Sequence, residues 1–276
     1  MTPQRQNLTD THCHLNISAF KSDLPDVLER ARLEGIQRML IPGMDLETSQ
    51  FAVEISQDIP EAYAAVGVHP HYADSWNDEV HTEIRELAHA SKVVAIGEIG
   101  LDFYRNLSSH KAQISAFKDQ LQLASELKLP VVIHNREAIA EILEIIVPWA
   151  ERNSSVDHQP PGVLHAYSAD ADSANVAITH GFYLGVAGPI TFRNAEIRRE
   201  ITAQIPLDRL LLETDSPYMS PHPLRGKRNE PGNIKYIAQK LSELFELNHS
   251  VIAESTAANA NELFRWNNGT ENRHLH

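Results

Sequence analysis

"LTDTHCHLN", residues 8–16, sets His12 and His14 one residue apart directly after a short apolar and β-branched run. Side chains two apart on an extended strand point to the same face. The two imidazoles would therefore look into one space, with Cys13 turned toward the helix layer. By itself an HCH triplet also fits a turn or two accidental neighbours. What decides is whether the rest of the chain repeats the strand and gathers further ligand-type side chains at equivalent places.

The strand pattern recurs in IQRMLIPG (36–43), AYAAVGVHP (62–70), VVAIGEIGLD (93–102), PVVIHN (130–135), GVLHAYS (162–168), GFYLGVAG (181–188) and RLLLETDSP (209–217), which join LTDTHCH (8–14) as eight strand candidates. They are short, rich in apolar and β-branched residues and bounded by Gly, Pro or polar turns, as strands buried on both faces should be. Between them the spacing predicts helices over 22–33, 46–57, 78–90, 110–127, 137–152, 170–179 and 195–204, with two more, 233–245 and 251–264, after the eighth strand. Ser22 ahead of Pro25, and Asp78 with its acidic first turn, are start signals.

Eight strand–helix repeats without a linker-like break predict an α/β fold, a single (β/α)8 TIM-type barrel with C-terminal helices. The domain is expected to fill residues 1–276, with an N-terminal extension over 1–7 and a disordered tail over 267–276. An open doubly wound sheet has the same alternation. The polar residues separate the two, because His12, His14, His69, Glu98, His134, His165 and Asp215 all fall at or near the C-terminal ends of their strands. In a barrel those ends ring one mouth, where active sites of this fold sit. In an open sheet most of them could not meet.

Composition narrows the function. The chain has 276 residues, 42% of them hydrophobic, enough for a sizeable core. No apolar run is long enough to span a bilayer, and MTPQRQNLTD lacks the apolar core of a secretory signal, so a cytoplasmic location is expected, with no membrane partner. The single cysteine, Cys13, excludes an internal disulfide and agrees with a reducing compartment. A net charge of -13 argues against a broad basic surface along nucleic acid and leaves room for a short anionic segment in a local pocket. A monomer is the expected oligomeric state.

Glu98 lies inside an otherwise apolar strand, where an ionised carboxylate is costly unless paired or bound to a metal. Asp215 follows LLLET and could cap a turn, yet its place behind three leucines favours a functional role. Imidazole suits Zn and other first-row metals, and the carboxylates widen the choice toward Mn or Mg. Histidines away from the strand ends, His249 and His158 among them, read as surface residues.

DTHCHL, VGVHPH, AIGEIGLDFYR, PVVIHNREA, GVLHAYS and LLLETDSPYMSPHPLRGKRNEPGNI together resemble the successive signature blocks of the TatD family of metal-dependent deoxyribonucleases, within the amidohydrolase-like barrels. The resemblance implies two divalent metal ions (Mg, Mn or Zn) and hydrolysis of phosphodiester bonds, with 3′ to 5′ exonuclease action on a short single-stranded DNA end. It also implies that His12, His14, Glu98 and Asp215 hold one metal, and that Glu98, His134 and His165 hold the second. Where the family reads H-C-F-S-G, this chain reads His165-Ala166-Tyr167-Ser168-Ala169, and Ala169 would restrict a position needing a positive φ.

Asp215 is the candidate to orient the attacking water and accept its proton, with Glu98 as the bridge. For substrate, Arg225 and Lys227, beside Arg228, fall near the barrel region that often binds phosphate. Arg136 is a second phosphate candidate, His69 a substrate contact, and Tyr104 or Phe103 a stacking platform for a terminal base. A metal hydrolase acting on a non-nucleic-acid ester, amide or lactone is the alternative, and a binding protein with a residual metal site the third reading.

Overall fold

The computed structural model describes residues 7–153 and 159–266. Most of the expected N-terminal extension, the expected tail over 267–276 and His158 lie outside the described residues.

The elements run β1 (Leu8–Asp10), α1 (Leu24–Leu33), β2 (Ile36–Pro42), α2 (Leu46–Asp58), β3 (Ala62–Val66), α3 (Asp78–Leu87), β4 (Val93–Asp102), α4 (His110–Leu127), β5 (Val131–Arg136), α5 (Ile139–Asn153), β6 (Gly162–Leu164), α6 (Ala171–Thr179), β7 (Tyr183–Val186), α7 (Glu196–Ala203), β8 (Leu210–Leu212), α8 (Ile234–Phe245) and α9 (His249–Phe264). The eight strands pair in parallel in the order β1 to β8. Bonds across the β8–β1 seam close the barrel: Thr11 N–H donates to Leu212 O (3.0 Å), Asp215 N–H to His12 O (2.8 Å) and His14 N–H to Ser216 O (2.7 Å).

Strand alternation sorts the core into two layers. Leu40, Ala65, Ala95, Val132, Val163, Tyr183 and Leu211 pack with one another and with Ala260, Leu263, Phe264 and Trp266 at and just after the end of α9. Their neighbours Met39, Ile41, Ala64, Val66, Val131, Ile133, Leu184 and Leu212 face the helices instead. The C-terminal end of α9 thus plugs the barrel at the ends of the strands opposite the mouth, and the Tyr63 hydroxyl ties it there by donating to Trp266 O (3.0 Å).

Several expected boundaries are corrected. Strands expected to reach residues 14, 70, 168 and 217 end at Asp10, Val66, Leu164 and Leu212, so His12, His14, His69, His165 and Asp215 stand in the loops that leave the sheet. Cys13 keeps one isolated parallel bridge to Ser216, which preserves the alternation around it. The N-cap of α1 is Asp23 rather than Ser22, and its side chain makes no cap bond. Its carboxylate instead accepts from the Arg228 guanidinium at 2.8 and 2.6 Å. At α3 the cap is Asn77, whose Oδ1 accepts from the amides of Glu79 and Val80, while Asp78 sits in the first turn. His249, expected on the surface, is partly covered, with its Nδ1 buried.

Asp10 fastens the seam from inside. Its Oδ1 accepts the amides of His12 (3.2 Å) and Thr214 (2.9 Å), and its Oδ2 lies 2.6 Å from the Thr214 hydroxyl. Complete burial pushes its carboxyl up to about 8, against the pull of the Thr214 hydroxyl and amide. A carboxyl that keeps its proton in the fold but loses it near pH 4 in the unfolded chain makes stability fall as pH rises between those values.

Two outcomes follow. Leu263→Ala, a truncation at a fully buried side chain, is expected to lower the unfolding free energy in urea by about 2–5 kcal/mol; a change under about 0.5 kcal/mol would mean that α9 is not part of the core. Asp10→Asn keeps the oxygen that accepts from the two amides and imitates the protonated acid. In metal-free protein its stability should fall less than that of the unsubstituted protein from pH 4 to 8, by on the order of a few kcal/mol, and parallel pH curves would contradict a neutral Asp10.

Candidate metal centre

Glu98 rises from the middle of β4, 2% exposed, on the wall of the mouth. His134 comes from β5, and His12, His14, His69, His165 and Asp215 from the loops after β1, β3, β6 and β8. Residues separated by up to two hundred positions thus meet around one carboxylate. Glu98 Oε2 lies 3.3 Å from His12 Nε2 and 3.6 Å from His14 Nε2. Glu98 Oε1 lies 2.9 Å from His134 Nδ1, 3.0 Å from His165 Nε2 and 3.6 Å from His69 Nε2. Asp215 Oδ1 faces the same histidine pair, 3.3 Å from His14 Nε2 and 3.8 Å from His12 Nε2.

Burial pushes the Glu98 carboxyl up, but His165, His69 and His12 around it outweigh that and hold it well below the usual carboxylate range. Asp215 is likewise held low against its burial, by His14, His165 and His12. Burial lowers His12, and His69 well below the ordinary imidazole value, so each offers a neutral ring with a lone pair. His134 and His165 go the other way: burial opposes their charge, and the neighbouring carboxylates, Asp102 and Glu98 for His134 and Glu98 and Glu213 for His165, overcome it.

Among the described residues, three groups bring their ligand atoms within 4.8 Å of one another: His12, His14 and Glu98; His12, His165 and Asp215; and His69, Glu98 and His134. His69, expected at the substrate, therefore sits among the ligand-type side chains. His165 stacks on His12 at 4.0 Å between ring centres and stands 5.6 Å from the ring of His134. This donor set fits divalent cations. Two imidazole Nε2 atoms 3.2 Å apart, with carboxylate oxygens on either side, leave converging lone pairs that a cation would satisfy.

Sequence reasoning missed a second set of carboxylates. Asp10 holds the backbone of His12, Asp102 Oδ2 lies 3.3 Å from His134 Nε2, and Glu213 Oε1 lies 3.4 Å from His165 Nδ1. A signal existed in parity: Asp10 precedes His12 by two, Asp102 follows Glu98 by four and Glu213 precedes Asp215 by two, so each shares a face with a ligand candidate. Glu213 also accepts the amide of Ala166, and a Cβ on Gly185 would come within 2.2 Å of its Oε2. The expected strain at Ala169 is corrected by the backbone: the left-handed residue after His165 is Ala166, at φ 46°, while Ala169 is not among the positive-φ residues.

The substrate candidates lie farther out. The Arg136 guanidinium stacks over the ring of Tyr104 at 4.1 Å, and Tyr104 is 56% exposed. Phe103 is covered by His110, stacked at 3.8 Å, which leaves Tyr104 as the open ring of that pair. Arg225 lies over Phe192 at 4.6 Å. Arg228 pairs with Asp23, while Glu230, two residues on, is held by Arg30 at 2.7 Å. Among the described residues, no helix is long and apolar enough to cross a membrane.

A family model for TatD related DNase matches residues 9–265. An uncharacterized metal-dependent hydrolase of Bacillus subtilis (strain 168), YabD, is 41% identical over 260 residues, covering 94% of this chain and 100% of that protein. The 3'-5' ssDNA/RNA exonuclease TatD of Cronobacter sakazakii is 37% identical over 263 residues, covering 94% and 98%. The crystal structure of YJJV, a TatD homologue from Escherichia coli k12, superposes with a TM-score of 0.87 at 29% identity, covering 95% of this chain and 99% of that one. With a match spanning nearly the whole barrel and relatives at this identity, the chain belongs to the TatD related DNase family, and it is a metal-dependent hydrolase.

Proposed function

We propose that the chain is a single hydrolase domain that cleaves phosphodiester bonds of DNA, removing nucleotides from the 3′ end of single strands as 5′ mononucleotides, in the cytoplasm. One observation carries the reading: two ligand groups share Glu98, His12–His14–Glu98 and His69–Glu98–His134, an arrangement suited to two adjacent cations, which is the form used for in-line displacement at phosphorus. The activity named for the Cronobacter sakazakii relative supports the substrate class.

In this reading His12, His14, Glu98 and Asp215 hold one Mg, Mn or Zn ion, and Glu98 and His134, with His165 and His69 beside them, hold the second. Bound there, the ions supply Lewis-acid stabilisation of the scissile phosphate and acidify water. Asp215 orients the attacking water and takes its proton. As the new P–O bond forms, the P–O3′ bond opposite opens, the terminal nucleotide leaves with a 5′ phosphate, and the shortened strand takes a proton from solvent at its 3′ oxygen. Arg136, Arg225 and Lys227 hold the phosphates, Arg through its planar fork, and Tyr104 stacks on the terminal base.

Metal-stripped protein should be inert, and Mg, Mn or Zn should restore release of mononucleotides from a 3′-labelled single strand. Release from a 5′ label first would reverse the polarity, and hydrolysis of small esters with none of oligonucleotides would favour the other hydrolase reading. Asp215→Asn is expected to lower kcat by about 10²–10⁴-fold, and a folded Glu98→Ala that keeps full turnover would contradict the bridging role. Because His134 and His165 are held above the ordinary imidazole value, metal loading near pH 7 should release protons. Calorimetry in buffers of different ionisation enthalpy reads this directly, and an uptake with no buffer dependence would argue against these two rings as ligands.

A further inference from the structure

The carboxylate of Asp102, at the last position of β4, is fully buried and bonded on both oxygens. Oδ2 faces two imidazoles, His71 Nε2 at 2.7 Å and His134 Nε2 at 3.3 Å. Oδ1 accepts the backbone amides of Tyr104 (3.1 Å) and Arg105 (2.7 Å), which fixes the turn that carries the exposed Tyr104 ring and, through it, the stacked Arg136. The backbone of Asp102 is itself pinned by buried Gln113, whose Oε1 accepts its amide at 2.9 Å and whose Nε2 donates to its carbonyl at 3.1 Å. A carboxylate accepts only, so the His134 nitrogen facing it must carry the hydrogen. Without a cation Nδ1, 2.9 Å from the Glu98 carboxylate, carries a hydrogen as well; a cation that displaces that proton would meet the Nδ1 lone pair, with the Nε2 hydrogen kept by Asp102.

We propose that Asp102 is a positioning residue that joins the metal centre to the substrate rim: one oxygen sets the tautomer and orientation of His134, and the other sets the Tyr104–Arg105 turn. The inference rests on the reading of His134 as a ligand. Partners of this kind behind a ligand histidine commonly govern metal affinity by 10–100-fold.

Two substitutions separate the two oxygens. Asp102→Asn keeps an oxygen for the Tyr104 and Arg105 amides but turns an NH2 group toward His71 and His134. Zn or Mn affinity, measured with the metal alone by chelator competition, should weaken by about 10–100-fold, while hydrogen exchange at the Tyr104 and Arg105 amides stays as in the unsubstituted protein. Asp102→Ala should weaken metal binding and also speed exchange at both amides. Unchanged metal affinity in a folded Asp102→Asn would overturn the proposal, as would unchanged exchange in a folded Asp102→Ala. Unsubstituted protein that binds Zn or Mn but cleaves no oligonucleotide would fault the nuclease reading and leave this test standing; unsubstituted protein that takes up neither metal would overturn both.

Discussion

Glu98 is a carboxylate almost sealed from water, and an ionised group in such a place is tolerated only when opposite charge or donors surround it. The barrel supplies them from every side. Imidazoles arrive from the loops after β1, β3 and β6 and from β5 itself, while Asp215, a second anion from the loop after β8, draws on the same rings. Without a cation, protons on His134 and His165 balance the charge. In the proposed metal-bound form the same nitrogens and oxygens would serve as its donors. The charge that these protons balance is the same one that a cation in the proposed centre would meet.

The carboxylates behind the centre come from different elements. Asp10 belongs to the β8–β1 seam and fixes the backbone of His12, Glu213 faces His165, and Asp102 faces His134. Glu213 and Asp102 each face a ring of the candidate centre, whereas Asp10 holds only backbone. Asp10 also differs in kind from Asp102, because burial keeps it protonated, so it acts as a neutral clasp rather than as another anion. Three acids in similar settings thus take different roles according to what surrounds them.

The far end of the barrel carries a different burden. There the alternating inward residues are apolar, alanines at 65 and 95 share the layer with Tyr183, and the end of α9 covers them. Segregation of an apolar plug from a polar mouth lets stability reside at one end and chemistry at the other, as is general for this fold.

Sequence alone determined the class of fold, since eight apolar segments separated by amphipathic ones leave few architectures. The barrel is what the strand order shows, and β4 and α4 have the bounds that the residue pattern predicts. It also pointed to the candidates His12, His14, Glu98, His134, His165 and Asp215, because a polar residue at the end of a buried strand is costly without a use. Only the tertiary structure decided how they group: His69 came to lie beside Glu98 and His134, Arg228 went to Asp23, and the left-handed position fell at Ala166 rather than Ala169. The reason is physical. Strand periodicity is local and survives in one dimension, whereas ring orientation, the partner of each carboxylate and loop dihedrals depend on which distant strands are neighbours, and that exists only once the barrel has closed.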